Sequence, residues 1–478
     1  MQSVGEMILV LAPEIGLLVL ALILLGVDLA VKKRAQILGW VTFAGLCVVI
    51  ALSILFARPA EEGQLLWGGM LRLDGMGFIF RLIFLSGAAI TALLAQQSER
   101  LSNHGEFFVL LLVSTLGMNL MASAADLIVL YLAIETTSIP LFVMAGFYTR
   151  DERSVEAGVK YLLYSAMASA IMLFGFSFLY GFSGTTQLYE IASGFQAANV
   201  PLVLLMTALL FVLVGFGFKV SAAPFHFWAP DVYEGAPTQV AGFLSTASKA
   251  AGFAVLIRLL TVAFPDQAHI WMMVLAVLAT LSMVVGNLLA LVQRNIKRLL
   301  AYSSIAQAGY MLIGVAAGSQ LGNSAAVYYL MAYLVTNLAA FGVVMVAGRA
   351  VGSDQISAFA GLSRRSPALA FLMLVALLSL GGIPPFAGFM AKVLVLSAAV
   401  ETGFVWLAWV GIINSIVGLY YYLNVAKVIY LYQSDQDDQP VNVKFAWGAA
   451  LAITGAAILV LGVWVAPWLQ GASMASIF

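Results

Sequence analysis

The chain has 478 residues, of which 63% are hydrophobic and only 9% charged, against roughly 25% charged residues in a soluble domain. Lys plus Arg and Asp plus Glu each number 22, so net charge is zero, and mean hydropathy is +1.03. A soluble fold cannot hide so many apolar side chains, a disordered chain would be polar, and no basic excess points to nucleic acid. The composition is that of an all-α, polytopic membrane protein.

A span of the hydrocarbon core needs about 20 mostly apolar residues. Fourteen stretches qualify, near 7–27, 37–57, 76–95, 106–122, 126–147, 157–182, 201–222, 238–260, 270–292, 297–317, 322–348, 367–400, 403–431 and 445–468. The first does not read as a cleavable signal, because Glu6 and Glu14 replace the basic n-region. The seventh is expected to end at Pro224, with Pro230 and Pro237 following. The twelfth is too long for one span and is interrupted by Gly381-Gly382-Ile383-Pro384-Pro385. Proline removes a backbone donor and clashes with the preceding turn, so both helices should be broken.

Loops after odd-numbered spans hold Lys32, Lys33, Arg34, Arg100, Arg150, Arg153, Arg294, Lys297, Arg298, Arg349, Arg364, Arg365, Lys427 and Lys444. Loops and span edges on the other side hold Arg58, Arg72, Arg81 and Arg258. The positive-inside rule then puts both termini on the non-cytoplasmic side.

Four lysines fall inside candidate spans: Lys160, Lys219, Lys249 and Lys392. One acid, Glu135, joins them. Each charge at membrane depth costs at least about 2.5–3.5 kcal/mol on insertion scales, so such residues are expected to mark a proton or ion path. Plainer readings stand beside this one. Glu135 could pair with a lysine merely to hold helices. Lys219 could snorkel, and Lys160, three residues into its span, more easily still. Lys249 sits among Ser245, Thr246, Ser248 and Gly252, which suits either close packing or a hydrated seam. His226, at the seventh-span break, is either a relay or a hydrogen-bonded structural histidine. Tyr302, Ser303, Ser304 and Gln307 could line a hydrated path or bridge helices. Glu14 and Asp28 are expected at the interface, Trp228 and Trp468 as interfacial anchors, and 434–438 as a solvated loop.

Cys47 is the one cysteine and His104, His226 and His269 the only histidines, so neither an all-cysteine cluster nor a metal motif can be written from this chain. Interrupted helices five spans apart suggest two inverted five-helix repeats, a transporter signature. The expected division is a three-helix segment (1–100), a first repeat (106–260, broken near Pro224), a second (270–432, broken near Pro384) and a terminal helix (445–478).

The stretch Phe218-Lys219-Val220-Ser221-Ala222-Ala223-Pro224-Phe225-His226-Phe227-Trp228-Ala229-Pro230-Asp231-Val232-Tyr233-Glu234-Gly235-Ala236-Pro237-Thr238 closely resembles the central signature of the antiporter-like subunits of respiratory complex I. Ser303-Ser304-Ile305-Ala306-Gln307-Ala308-Gly309-Tyr310 and Gly381-Gly382-Ile383-Pro384-Pro385-Phe386-Ala387-Gly388-Phe389 are similar to two further signatures. The resemblance covers nearly the whole chain. It looks nearest to the N branch of the bacterial enzymes, because the length suits fourteen spans without a long lateral helix and Lys392 stands where another branch has glutamate. Ala12-Pro13-Glu14-Ile15, and Asn414-Ser415 through Tyr420-Tyr421-Tyr422, look N-like too.

The resemblance implies roles. Glu135 would pair with Lys219, Lys249 would pass protons between half-channels, and Lys392 would face the outward exit. Lys160 would be an accessory charge near the Glu135–Lys219 pair and His226 a connector. It implies proton translocation driven by quinone reduction elsewhere in an NADH–quinone oxidoreductase. FMN, iron–sulfur clusters and quinone would sit on other subunits, with no cofactor here. Partners would be the other membrane subunits, the lipid bilayer and protons, in a bacterial inner membrane with periplasmic termini. A subunit of a related multi-subunit cation/proton antiporter or membrane-bound hydrogenase is the alternative, and a purely structural membrane subunit is a third.

Overall fold

The computed structural model describes residues 8–30, 35–59, 63–98, 101, 104–434 and 439–476. Glu6, Lys32, Lys33, Arg34, Arg100 and positions 435–438 lie outside the described residues. The chain is a helical bundle: α1 (Ala12–Ala30), α2 (Ala35–Phe56), α3 (Gly75–Gln96), α4 (Gly105–Ser123), α5 (Leu127–Ala145), α6 (Glu152–Ser183), the short α7 (Leu188–Ala197), α8 (Leu202–Lys219), the short α9 (Trp228–Gly235), α10 (Thr238–Ala263), α11 (Ala268–Ala290), α12 (Ile296–Ala316), α13 (Gln320–Val351), α14 (Pro367–Gly381), α15 (Ala387–Glu401), α16 (Val405–Leu431), α17 (Phe445–Val463) and α18 (Val465–Ser473). Thirteen helices among the described residues are long and apolar enough to cross a membrane. The half-helices α14 and α15 together fill the place of the expected twelfth span. A small antiparallel hairpin, β1 (Gln64–Leu66) with β2 (Leu71–Leu73), pairs Gln64 with Leu73 in the loop after α2. The apolar periodicity of the spans gave no hint of it.

Polar residues at helix starts explain where several elements begin. Asp74 accepts from the Gly77 amide at 2.8 Å, Asp126 from Ile128 at 2.8 Å and Asn295 from Lys297 at 2.9 Å, each satisfying an orphan first-turn donor. Helices α6 and α13 have 32 residues each. At about 1.5 Å per residue they exceed the roughly 30 Å hydrocarbon core. α13 packs on α10, α12, α14, α15 and α17, and it, α10 and α12 are buried along almost their whole length. These three helices form the axis on which the polar interior is built.

The two interruptions differ in detail from expectation at one point. α8 stops at Lys219, five residues before Pro224, because Ser221 takes a left-handed φ of 59° that a helix cannot continue. Pro230 breaks nothing: it lies in the first turn of α9, where its missing N–H would be unpaired anyway. Pro237 is the residue before α10. The freed backbone groups are taken up inside the protein. Trp228 Nε1 donates to the Phe218 carbonyl at 3.1 Å, and the Ala223 amide donates to Ser282 Oγ at 2.9 Å. In the second interruption Gly382 adopts φ 84°, and a Cβ there would sit 2.8 Å from Lys392 Cδ. Gln307 Nε2 donates to the Leu380 carbonyl at 3.0 Å, and the Gly388 amide to Ser379 Oγ at 3.1 Å. A third irregularity lies inside α10, a π-helical turn over Leu244–Ser248 that ends where Lys249 begins. Such turns recur at functional sites.

Loops after odd-numbered spans gather at one end of the bundle. Asn295 bonds Glu234 and bridges Gln355, Lys297 reaches Asp354, and Lys444 reaches Gln97. Loops after even-numbered spans meet at the other end, where Ala124 bridges Leu71 and Asp126 bridges Gln187. Three surface assignments need correction. Glu14 is buried against Arg81 at 2.9 Å instead of lying at an interface. Arg258 is 1% exposed and forks onto Asp74 at 2.6 and 2.9 Å, with Tyr189 OH at 2.5 Å and the Ala122 carbonyl at 2.7 Å. Trp228 is buried and lies flat on Tyr161, with centroids 4.5 Å apart and planes 6° apart. Glu14 finds a counter-ion, and Arg258 and Trp228 find hydrogen-bond acceptors, inside the fold, so the side chains need not reach solvent.

Candidate functional site: a row of buried lysines

Lys219, Lys249 and Lys392 are 7%, 1% and 6% exposed. Among the described residues none of them belongs to an ion pair. Each is held by a serine hydroxyl instead. Lys219 Nζ donates to Ser138 Oγ at 2.8 Å. Lys249 Nζ donates to both Oγ and the carbonyl of Ser304 at 2.6 Å. Lys392 Nζ donates to Ser415 Oγ at 2.8 Å and to the Gly381 carbonyl at 3.0 Å. Lys219 is the last residue of α8, and Lys392 caps the last carbonyl of α14. Both therefore sit at the C-terminal end of a half-helix, the end that favours a cation.

Glu135 is half-buried on α5, three residues before Ser138, and accepts from Ser169 Oγ on α6 at 2.7 Å. Its carboxylate makes no direct bond to Lys219. Each is held by its own hydroxyl: Ser138 accepts from the lysine and Ser169 donates to the acid. A cavity of about 10 Å³ lies between α5, α6 and α8, lined by Ser138, Ser165, Ser169 and Lys219 among others. That is room for about one water. On the other flank of Lys219, Gly252 of α10 is essential to the fit. A Cβ there would meet Val220 Cγ1 at 2.9 Å and Lys219 Cγ at 3.1 Å. The lysine stem thus lies against the helix that carries Lys249.

From Lys249 a polar seam runs along α12. Tyr233 and Tyr333 face Ser304, and their hydroxyls, with Ser221 Oγ, are buried without a hydrogen-bond partner. Ser303 Oγ lies 2.5 Å from Tyr422 OH. Gln307 Nε2 lies 3.2 Å from the same hydroxyl, and Gln307 Oε1 accepts from Tyr329 OH. The Lys392 ammonium stands 4.7 Å over the Tyr310 ring. Ser303 and Gln307 therefore bridge α12 to neighbouring helices in the stretch between Lys249 and Lys392, and Ser304 holds Lys249. Tyr302 points elsewhere and stacks under the Arg298 guanidinium at 6.0 Å. Beyond Lys392 a groove of about 740 Å³ runs between α15 and α16 to Glu401, the last residue of α15 at the even-loop end. At the odd-loop end a cavity of about 590 Å³ is lined by Glu234, Gln239, Lys297 and Asp354 among others.

Lys160 lies elsewhere. α6 starts at Glu152, earlier than expected, so Lys160 is just over two turns from the helix start, and its side chain is 36% exposed. It pairs with Glu156 at 2.7 Å and Asp231 at 2.6 Å, not with Glu135 or Lys219. Asp231 also takes Arg298 at 2.7 Å, and Arg298 reaches Glu234 at 2.9 Å. Burial opposes ionisation of Asp231, but the Lys160 and Arg298 bonds and charges outweigh it and hold its carboxyl below the usual range. His226 is buried in the first interruption, beside the Pro224 carbonyl, stacked on Phe227 at 4.6 Å, with Nδ1 unpartnered. The helical two-turn spacing to Lys219 does not apply, because α8 has already ended.

Of the serines that hold the site, the sequence singles out Ser304 but not Ser138, Ser169 or Ser415. Ser138 follows Glu135 by three residues, and Ser165 and Ser169 are four apart in an apolar helix, a spacing that puts hydroxyls on one face. Ser415 lies in the N-like stretch but carried no role. Among the described residues no three His, Cys, Asp or Glu are placed so that they could hold a metal ion.

Residues 124–418 match the family described as NADH:quinone oxidoreductase/Mrp antiporter, TM. A "NADH-quinone oxidoreductase subunit N" of Moorella thermoacetica is 43% identical over 462 residues, 96% of this chain and 95% of its own. A chain in a structure of "Respiratory complex I from Thermus thermophilus with bound Aureothin" superposes with TM-score 0.81 at 34% identity, covering 96% of this chain and 98% of that one. A chain of an Mrp complex from Dietzia sp. shares the fold, with TM-score 0.87 at 21% identity over 99% of this chain and 97% of its own. The chain belongs to the NADH:quinone oxidoreductase/Mrp antiporter transmembrane family, in its NADH–quinone oxidoreductase subunit N branch.

Proposed function

We propose that this chain is a proton-translocating membrane subunit of an NADH–quinone oxidoreductase, and that Lys219, Lys249 and Lys392 carry the proton in that order, with Glu135 as the acid on the path that pairs with Lys219. The observation that carries this reading is the row of three buried lysines, each without a counter-ion and each held by a serine. A permanently structural cation at membrane depth would be paired. A proton carrier needs partners that accept it charged and tolerate it neutral, and a hydroxyl, both donor and acceptor, does both.

The cavity at Glu234, Lys297 and Asp354 is the cytoplasmic inlet in this reading, and the groove from Lys392 to Glu401 is the outlet. When Glu135 swings towards Lys219, through the one-water space between Ser138 and Ser169, the lysine is favoured charged. When it withdraws, Lys219 hands its proton across the Gly252 contact towards Lys249. Ser304, Ser303, Tyr422 and Gln307 form the chain onward, with water at the unpartnered hydroxyls of Ser221, Tyr233 and Tyr333, since buried polar groups are rarely left unsatisfied. Moving one charge against 100 mV requires about 2.3 kcal/mol, so the driving reaction is quinone reduction on other subunits. The redox groups, FMN and iron–sulfur clusters, belong there, and this chain contributes proton movement alone. The halves 106–260 and 270–432 act as inverted repeats, each with one lysine at a half-helix end. The setting is the bacterial inner membrane, with both termini periplasmic. His226, with its unpartnered Nδ1 at the first interruption, is a connector in this scheme, and Lys160 has a different task.

The test is the assembled complex carrying Lys249→Ala, reconstituted in liposomes, with NADH–quinone turnover and proton uptake followed together. Loss of coupled uptake in an intact complex is expected. Normal values for both would return Lys249 to a structural role and sink the proposed path.

A further inference from the structure

We propose that Asp231 is a positioning residue, the shared carboxylate of a releasable latch that fastens the short helix α9 to α6 and α12 and so aligns the two helices that hold Glu135 and Lys249. The inference rests on the proton-path reading above.

Asp231 divides its oxygens between two helices. Oδ2 accepts from Lys160 Nζ on α6 at 2.6 Å, and Oδ1 from Arg298 Nη1 on α12 at 2.7 Å. Glu156 and Glu234 back up the two cations at 2.7 and 2.9 Å. Each cation is followed on its own helix by a serine of the site. Ser169, which binds Glu135, lies nine residues beyond Lys160, about 13.5 Å along the axis. Ser304, which binds Lys249, lies six residues beyond Arg298, about 9 Å along the axis. Both stretches are uninterrupted α-helix, so a shift at the latch reaches the serines as a rigid displacement. The other end of α9 is fixed by packing. Trp228 lies flat on Tyr161, the residue next to Lys160, and its Nε1 holds the carbonyl of Phe218, the residue before Lys219. One short helix therefore touches the neighbours of both half-sites.

Exposure separates a latch from a staple. The side chains of Lys160, Asp231, Arg298 and Glu234 are 27–36% exposed, whereas Arg258 in the Asp74 pair is almost fully buried. Ion pairs of the first kind are individually weak and exchange readily with water; those of the second kind are costly to break. A shared carboxylate couples the two weak arms: losing Asp231 detaches Lys160 from α9 and leaves Arg298 only its Glu234 bond to that helix. This assigns Lys160 to alignment and takes it out of the proton row.

The experiment uses the assembled complex in liposomes, with NADH-driven proton uptake and hydrogen exchange of the α9 amides as separate readouts. Asp231→Asn should lower uptake roughly two- to thirtyfold, the range for losing two exposed ion pairs, and speed exchange over Trp228–Gly235 by a similar factor. Asp231→Glu should restore most of both. Adding Lys160→Gln to Asp231→Asn should do little further harm, because Lys160 reaches α9 only through that carboxylate. If Asp231→Asn does not assemble, the single Lys160→Gln and Arg298→Gln variants, each removing one arm, must still lower uptake and loosen α9. Unchanged exchange, unchanged uptake with a loosened α9, no rescue by glutamate, or additive losses would each overturn the latch. If Lys249→Ala also pumps normally, the failure belongs to the proton path and not to Asp231 alone.

Discussion

Ser304→Ala isolates the bond that holds the central lysine. Lys249 Nζ lies 2.6 Å from Ser304 Oγ and 2.6 Å from its carbonyl. The substitution removes the first contact, keeps the second and adds no bulk. A hydrogen bond to a charged group contributes about 1.5–3 kcal/mol, and each 1.4 kcal/mol is about a factor of ten. If protonated Lys249 is an obligatory intermediate, its population falls by roughly ten- to a hundredfold when that bond is lost. Proton uptake by liposomes containing the assembled variant should fall to match, and NADH–quinone turnover should fall with it if the two are tightly coupled. Ser304→Thr retains the hydroxyl and should keep most of the rate. A cavity the size of one hydroxyl costs far less than unfolding, so assembly should survive. An assembled Ser304→Ala complex that pumps at the wild-type rate would show that Lys249 does not need this partner, and the serine-held row would lose its central argument.

Two further expectations follow from the packing. Gly252→Ala places a methyl 2.9 Å from Val220 Cγ1 and 3.1 Å from Lys219 Cγ. Overpacking of about 1–3 kcal/mol outweighs the roughly 1 kcal/mol gained by replacing a helical glycine, so the Lys219 stem must shift; slower proton uptake in an assembled complex is expected, and wild-type uptake refutes the close contact. At the even-loop end, burial opposes ionisation of Asp74, but the Arg258 charge and hydrogen bonds, the Gly77 amide and the Arg72 charge outweigh it and hold its carboxyl below the ordinary 3.8. A depressed carboxylate contributes stability that is present above its unfolded value and lost as pH falls through the folded one. Thermal stability should therefore drop as pH falls below about 4. Asp74→Asn, which strands Arg258, should cost about 3–5 kcal/mol at neutral pH and lack that part of the acid limb; a melting curve indistinguishable from wild type at pH 7 refutes the staple.

What could be read from the sequence, and what could not, divides along a physical line. The spans, the two interruptions and the lysines at depth were legible because each is a property of one segment. Twenty apolar residues, a proline pair or a lone charge carry their cost wherever the chain goes. Partners are properties of two segments. Ser138 and Lys219 are 81 residues apart, Ser304 and Lys249 are 55, and Asp231 and Lys160 are 71. A serine in an apolar helix can bond its own i−4 carbonyl, as Ser138 also does with Ile134 at 2.7 Å, so nothing local marks it as a ligand of a distant lysine. The same blindness misplaced Glu14, Arg258 and Trp228 at the surface: an ionic or polar tip looks interfacial until its partner is known. It also misread Lys160, whose charge was legible but whose allegiance was not. For a charge in a membrane span, the useful question is therefore which partner it has. A paired charge that is buried belongs to the scaffold, a paired charge that is half-exposed can be released, and an unpaired buried one must earn its cost through chemistry. Arg258, Lys160 and Lys249 are the three cases in this one chain, and the proposed proton path draws its lysines only from the last kind.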